Sequence, residues 1–141
     1  MEELTLPESF AILKEIHFSY GHRLLRHPGK CARLHGHNGR IVAEVSSRKL
    51  NQQNMVMDFY DLRKTLEDWV DNTLDHQMIL WKKDPLVKVL EKAREPILVF
   101  KENPTAEALA KFIFEAAKKK KIPITKIILW ETPGSAAQYS R

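Results

Sequence analysis

Five of the six histidines in this chain fall between His17 and His37, a stretch that also holds the single cysteine, Cys31. Even scattering would place about one histidine in a stretch of this length. The same stretch joins two segments in which apolar and polar residues alternate, the pattern of β-strands with one buried face. The chain is therefore predicted to fold as a sheet whose first two strands bring histidines together.

The two alternating segments are predicted to pair as antiparallel strands. In the first, Phe10–His22, the parity of His22 is shared by Phe10, Ile12, Ile16, Phe18 and Tyr20. In the second, His35–Ser47, the parity of His35 and His37 is shared by Ile41, Ala43 and Val45. The stretch between them is polar and carries a Pro-Gly pair, which is typical of a turn-containing loop.

Later segments predict helices and further strands. Apolar residues in the segment 59–74 have helical spacing, and Asp58 just before it is a candidate N-cap. Residues 105–118 form a second amphipathic helical pattern. A short helix is predicted at residues 85–90, which begin with a proline suited to a first turn. The remaining strands are predicted at residues 97–100, 124–132 and 136–140.

The order of the main elements, ββααββ, predicts an α+β fold, with two main helices on one face of a four-stranded antiparallel sheet. No repeat, low-complexity segment or Gly-Ser linker interrupts the sequence, so residues 1–141 are predicted to form a single domain. A sheet covered on one face leaves its other face and its edges exposed, which predicts assembly with further subunits.

Composition excludes several classes of protein. No apolar run approaches the ~20 residues of a membrane helix, and Glu2 and Glu3 argue against a secretory signal, so we expect a cytoplasmic protein without a membrane partner. A single cysteine excludes an internal disulfide. The net charge is +5, but the lysine run at residues 118–121 has no interleaved aromatic residue. We interpret that run as a solvated helix end and expect no nucleic acid partner.

A metal site is the first hypothesis for the histidines. His35 and His37 are two residues apart on one strand and point the same way, and Gly36 between them leaves room beside the backbone. His22 ends the neighbouring strand on the matching parity. Three imidazoles with an open fourth position form the ligand set of a catalytic zinc, the metal that neutral imidazoles suit. Surface or structural histidines remain the alternative from the residues alone.

Cys31 lies four residues before His35, in the loop between the strands. A lone cysteine is most often a buried structural residue. Lys30 and Arg33 flank this one, however, and cations beside a cysteine favour the thiolate. Cys31 is therefore a candidate base or nucleophile.

Two further positions carry chemistry of interest. Asp75 precedes His76 after the first long helix, where a carboxylate could orient the imidazole, although a dipeptide alone is a weak signal. Glu131 has the parity of Ile127 and Leu129, which look buried. A buried carboxylate needs a partner, and a guanidine-like edge of a pterin or purine would supply two parallel N–H donors. A surface glutamate at a strand end is the alternative.

Several blocks of sequence occur in an order that resembles a known family. They are Phe18-Ser-Tyr-Gly-His22, Gly29-Lys-Cys-Ala-Arg-Leu-His-Gly-His-Asn38, Met55-Val-Met-Asp-Phe59, Leu74-Asp-His76, Asn103-Pro-Thr-Ala-Glu107 and Trp130-Glu-Thr-Pro133. Together they resemble the 6-pyruvoyltetrahydropterin synthase superfamily, and within it most of all the 6-carboxytetrahydropterin synthases of the queuosine pathway. The resemblance implies a tunnelling fold, in which the sheets of several subunits close a barrel, as a trimer or hexamer, with active sites at subunit interfaces.

The functional positions of that family match residues of this chain one by one. The zinc ligands match His22, His35 and His37. The proton-transfer triad matches Cys31, Asp75 and His76. The pterin-binding positions match Glu131, Thr105 and Glu107.

The implied activity is that of a zinc-dependent lyase. Such an enzyme converts 7,8-dihydroneopterin triphosphate to 6-carboxy-5,6,7,8-tetrahydropterin, acetaldehyde and triphosphate, and Arg23, Lys30 and Arg33 are candidate triphosphate contacts. The alternatives are a 6-pyruvoyltetrahydropterin synthase, which eliminates triphosphate only, and a non-enzymatic pterin-binding or nucleic-acid-binding protein with a structural zinc. The short C-x3-H gap favours the carboxy enzymes.

The chain departs from the family pattern at two places beside the histidines. Tyr20 and Gly21 stand where the family often has two alanines, and Gly39 stands where it often has an aromatic residue. Neither departure removes a ligand, and both are expected to alter the shape of the pocket.

Overall fold

The computed structural model describes residues 4–141. Glu2 and Glu3, which entered the argument about a secretory signal, lie outside the described residues. No helix in the described part of the chain is long and apolar enough to cross a membrane.

The described chain folds as one six-stranded sheet with three helices. In chain order the elements are β1 (Phe10–His22), a 3-10 turn (Lys30–Ala32), β2 (His35–Ser47), α1 (Phe59–Thr73), β3 (Gln77–Trp81), α2 (Leu86–Lys92), β4 (Ile97–Phe100), α3 (Ala106–Lys119), β5 (Lys126–Thr132) and β6 (Ser135–Ser140).

The predicted pairing of the first two strands is confirmed. β1 and β2 run antiparallel over their whole lengths, from Phe10 opposite Ser47 to His22 opposite His35. On the buried face, Ile12 lies opposite Val45 and Ile16 lies opposite Ile41. β5 and β6 continue the antiparallel arrangement beyond β2.

The prediction of a purely antiparallel four-stranded sheet is wrong. The strand order is β4-β3-β1-β2-β5-β6, and β3 and β4 extend the sheet by pairing in parallel beyond β1. β3 was missed because a parallel strand buried on both faces has no alternating pattern. Its adjacent residues Ile79 and Leu80 are both fully buried. A short α2 packs beside these two strands, so there are three helices.

The core lies between one face of the sheet and helices α1 and α3. Ile16, Ile41 and Leu129 project from three neighbouring strands toward Leu66 of α1 and Ile113 of α3, and all five are buried. Each such side chain contributes about 1.5–3 kcal/mol by leaving water. His22, His35 and His37 project from this same face, so the three-histidine site forms where the core reaches the end of β1.

Candidate metal centre and its pocket

Three histidines converge at the open end of the β1–β2 pair. His22 pairs with His35 across the strands, and His37 is two residues further along the same face. The nearest ring nitrogens of the three lie within 4.8 Å of one another. This convergence follows from strand pairing, because residues directly opposite on antiparallel strands share a face.

Backbone carbonyls fix the orientation of two of these rings. Nδ1–H of His22 donates to the carbonyl of Pro104 at 2.8 Å, and Nδ1–H of His35 donates to the carbonyl of Arg33 at 2.7 Å. A carbonyl only accepts hydrogen bonds, so the proton lies on Nδ1 and the Nε2 lone pair is free. Metal-binding histidines are held in this way by a second hydrogen bond.

The free nitrogens are buried without a partner among the described residues. Nε2 of His22 and Nε2 of His37 are both inaccessible to solvent and accept no hydrogen bond. A buried polar atom without a partner is costly. A metal ion on the three imidazoles would satisfy these atoms, so the donor set fits zinc.

Burial keeps the imidazoles neutral. Removal from water lowers the pKa of His22 to about 4, against a smaller opposing effect of the hydrogen bond to Pro104, and the nearby His35 and His37 lower it further. The pKa of His37 is lowered by burial as well, with Glu131 opposing. Neutral imidazole is the form that binds a metal, so both rings are ready to bind at neutral pH.

The pocket beside the histidines contains most of the other candidate residues. Cys31, Thr105, Glu107 and Glu131 line a cavity of about 240 Å³ together with the three histidines. Cys31 lies in the 3-10 turn and is partly exposed. Thr105 is the N-cap of α3, where its hydroxyl oxygen accepts from the amide of Ala108, which leaves its O–H free to donate.

Glu131 lies at the end of β5 between two of the histidines. Its carboxylate oxygens are 3.9 Å from Nε2 of His22 and 4.0 Å from Nε2 of His37. The hydroxyl of Tyr20 donates to Oε1 of Glu131 at 3.4 Å. Burial, and secondarily the nearby carboxylate, raises the pKa of Tyr20 far above its usual range, so the phenol keeps its proton. The side chain of Glu131 is 23% exposed, on the pocket side.

Asp75 and His76 lie on a different surface. Oδ1 of Asp75 accepts from the amide of Ser19 at 2.9 Å, which lowers the pKa of that carboxyl. Its Oδ2 accepts from Nδ1 of His76 at 2.8 Å. His76 is 79% exposed and lines a second cavity with Gly21 and Asn38. Ser19, Gly21 and Asn38 have the opposite strand parity from the three histidines, and Tyr20 and His37 also line this cavity.

The remaining histidines and one predicted cation have other partners. His17 lies 3.5 Å from Glu15 on the exposed side of β1, and His27 accepts the amide of Gly29 in the loop. Neither belongs to the three-histidine cluster. Arg23 donates to both carboxylate oxygens of Asp84, so its charge is already neutralised within the fold.

A protein-family description, 6-pyruvoyl tetrahydropterin synthase, matches residues 11–141. The chain belongs to this family. The predicted resemblance is confirmed, and with it the prediction of an enzyme related to the 6-carboxytetrahydropterin synthases, because the curated relatives carry that name. Two are the 6-carboxy-5,6,7,8-tetrahydropterin synthases of Haemophilus influenzae and Synechocystis sp. They are 33% and 36% identical to this chain, covering 92% and 91% of it and 98% and 91% of their own lengths.

Solved structures share the fold of this chain. An uncharacterised protein from Wolinella succinogenes superposes with a TM-score of 0.83 at 24% identity, covering 95% of this chain and 99% of its own. The 6-pyruvoyl tetrahydropterin synthase of Caenorhabditis elegans superposes with a TM-score of 0.70 at 23% identity, covering 95% and 96%.

Sequence reasoning overlooked three residues that build the site. Asn103 holds the loop after β1 in place by exchanging two hydrogen bonds with the backbone of Leu25. Pro104 supplies the carbonyl that orients His22. The hydroxyl of Tyr20 contacts Glu131. Tyr20 has the same strand parity as His22, and that parity could have indicated that its side chain lies at the site.

Proposed function

We propose that the chain is a zinc-dependent lyase that converts 7,8-dihydroneopterin triphosphate to 6-carboxy-5,6,7,8-tetrahydropterin, acetaldehyde and triphosphate. The observation that carries the proposal is the single pocket that holds three metal-ready histidines, Cys31 and Glu131. The curated relatives named for this activity support it. A place in queuosine biosynthesis, a cytoplasmic location and a single-domain chain stay predictions.

His22, His35 and His37 would hold the zinc. Bound there, zinc supplies Lewis acidity that polarises the hydroxyl groups of the substrate side chain and acidifies the adjacent C–H bonds. The two buried Nε2 atoms without partners are the structural support for this assignment. Zinc is preferred over harder cations because all three donors are imidazole nitrogens.

Glu131 would bind the pterin ring. A carboxylate accepts two parallel N–H bonds from a guanidine-like edge, and Glu131 is placed in the pocket with both oxygens near the histidines. Thr105 and Glu107 extend this polar wall at the start of α3. Binding the ring at a fixed distance from the metal site aligns the side chain for reaction.

Cys31 and His76 would transfer protons at neighbouring carbons of the substrate side chain. Cys31 acts as base from the pocket, and His76, oriented by Asp75, acts as its partner acid or base. One protomer does not bring these two groups into one cavity. We therefore propose a homo-oligomer, a trimer or hexamer closed as a barrel, in which His76 of one subunit faces Cys31 of the next.

The exposed Lys30 and Arg33 beside Cys31 are the proposed triphosphate contacts. Arg23 is less suited, because the pair with Asp84 already uses its guanidinium. The net charge of +5 is consistent with an anionic substrate.

Product analysis tests the proposal directly. Purified protein is incubated with 7,8-dihydroneopterin triphosphate, and the pterin product and acetaldehyde are measured by mass spectrometry. We expect 6-carboxytetrahydropterin and acetaldehyde in equal amounts. A pyruvoyl product without acetaldehyde would establish the elimination reaction instead, and pterin binding without turnover would indicate a binding protein.

A further inference from the structure

Tyr20 is a large side chain in a position where the family pattern has a small one. It is only 3% exposed and lies beneath the metal-site histidines. Its ring centroid is 5.3 Å from that of His22 and 5.6 Å from that of His37. None of the roles assigned so far requires a tyrosine here, since it neither belongs to the metal-site cluster nor lines the pocket beside it.

The second departure from the pattern, Gly39, makes room for this ring. Gly39 lies opposite Phe18 on the paired strand. A Cβ atom added at Gly39 would lie 2.8 Å from Cε1 of Phe18 and 3.1 Å from Cε1 of Tyr20. The rings of Phe18 and Tyr20 stack at 5.0 Å with an interplanar angle of 17°. The two rings therefore occupy the space that a side chain at position 39 would fill, and the two departures are coupled.

The hydroxyl of Tyr20 reaches the carboxylate that faces the pocket. It donates to Oε1 of Glu131 at 3.4 Å, and among residues 4–141 it is the one hydrogen-bond donor to that carboxylate. The contact is longer than a strong hydroxyl–carboxylate bond. Glu131 otherwise has only His22 and His37 nearby, each about 4 Å away.

We propose that Tyr20 is a positioning residue that holds Glu131 toward the pocket, in an arrangement built on Gly39. A carboxylate accepts at about four lone-pair positions, so one bond from Tyr20 leaves acceptors on both oxygens for a ligand edge with two N–H donors. Without the hydroxyl, Glu131 is free to turn toward His22 and His37, which lie about 4 Å away, and away from the ligand. This inference rests on the proposed function, because that function defines the ligand of Glu131.

The test uses the full chain with its metal and a substitution that removes one atom. Binding of 7,8-dihydroneopterin is measured by calorimetry for the unchanged protein, Tyr20→Phe and the control Tyr60→Phe, whose tyrosine is 58% exposed on α1. We expect Tyr20→Phe to weaken binding about tenfold, with metal content and melting temperature retained. We expect Tyr60→Phe to bind as the unchanged protein does.

A double-mutant cycle separates positioning from general support of the fold. In the Glu131→Ala background, Tyr20→Phe should weaken binding by less than about twofold, because the carboxylate it positions is already gone. A full tenfold loss in that background would refute the inference. Equal binding by Tyr20→Phe and the unchanged protein would refute it as well and leave the proposed function standing. Absence of binding by the unchanged protein would refute both.

The coupling between Tyr20 and Gly39 is tested separately, by measuring melting temperature. Gly39→Ala should lower the melting temperature of the otherwise unchanged chain, and it should lower it less when Tyr20→Ala is already present. Removing Tyr20 gives the stacked Phe18 ring room to move away from the new methyl group. Additive losses in the double variant would contradict the coupling.

Discussion

Cys31 and His76 line different cavities of one protomer. Cys31 shares its cavity with the three histidines, whereas His76 shares its cavity with Ser19 and Asn38, and His37 contributes to both cavities. No single cavity of the described chain holds both groups. This placement agrees with the proposed oligomer, in which the two groups that act on one substrate come from different subunits.

Complementation between inactive variants tests that arrangement. Cys31→Ala and His76→Ala are each expected to lower turnover by about 10³-fold, because each removes one proton-transfer group. When the two variants are co-expressed and assemble at random, roughly a quarter of the interface sites contain both native groups. We therefore expect about a quarter of the unchanged activity in the mixed oligomers.

The control for complementation is the pair of variants assembled separately and then combined without subunit exchange. That mixture should remain inactive. Absence of recovery in oligomers shown by mass spectrometry to contain both variants would contradict a shared site between subunits.

Metal binding is predicted to depend on His35 and to be independent of His17. The nearest ring nitrogens of His22, His35 and His37 lie within 4.8 Å of one another, whereas His17 lies on the exposed parity beside Glu15. His35→Ala should lose most bound zinc, measured by elemental analysis of protein purified without chelator. His17→Ala should retain about one zinc per chain. Full zinc content in His35→Ala would contradict the assignment.

Stability of the metal-free protein is predicted to fall between pH 6.5 and pH 4. The pKa of His22 is lowered by burial from 6.5 to about 4, so in this range the unfolded chain binds a proton that the folded chain excludes. The stability is fully present above pH 6.5 and is lost as pH falls toward 4, by about 3 kcal/mol. Urea unfolding after chelator treatment measures it.

Two comparisons identify the source of that pH dependence. His22→Gln should remove most of the slope, with a smaller slope left by His37, whose pKa burial also lowers, and the loop variant His27→Gln should leave the curve unchanged. The pKa values of Asp75 and Asp84 are lowered from an ordinary value of 3.8 and that of Glu15 from 4.5, so these carboxyl groups affect the curve mainly at its acid end. An unchanged slope in His22→Gln would assign the effect to other groups.

The ion pair between Arg23 and Asp84 is predicted to stabilise the loop after β1. Asp84 is 3% exposed, accepts two hydrogen bonds from Arg23 and also accepts the amide of Leu86 at the start of α2. Asp84→Asn leaves the partly buried guanidinium of Arg23 without its counter-charge and should cost about 3 kcal/mol. Asp71→Asn, at an exposed position on α1, should change the free energy of unfolding by less than about 0.5 kcal/mol.

The outcome for the strands shows where sequence periodicity suffices. β1 and β2 were predicted with their observed bounds because each has one buried and one exposed face. Apolar and polar residues therefore alternate along each strand with a period of two. β3 lies between two strands and is covered on both faces, so its residues are apolar without alternation. Its parallel pairing with β1 joins segments far apart in the chain, which local pattern does not encode.

The sequence alone determined that His22, His35 and His37 converge. Their positions along two consecutive strands can be read from the local pattern, and pairing of those strands brings the three side chains together on one face. Only the tertiary structure decided which ring nitrogen is free, since the carbonyl that orients His22 is 82 positions away. The same holds for Tyr20, whose partner Glu131 is 111 positions away, and for the placement of Cys31 and His76 in different cavities. Such contacts depend on how distant segments pack, and no periodicity within a segment records them.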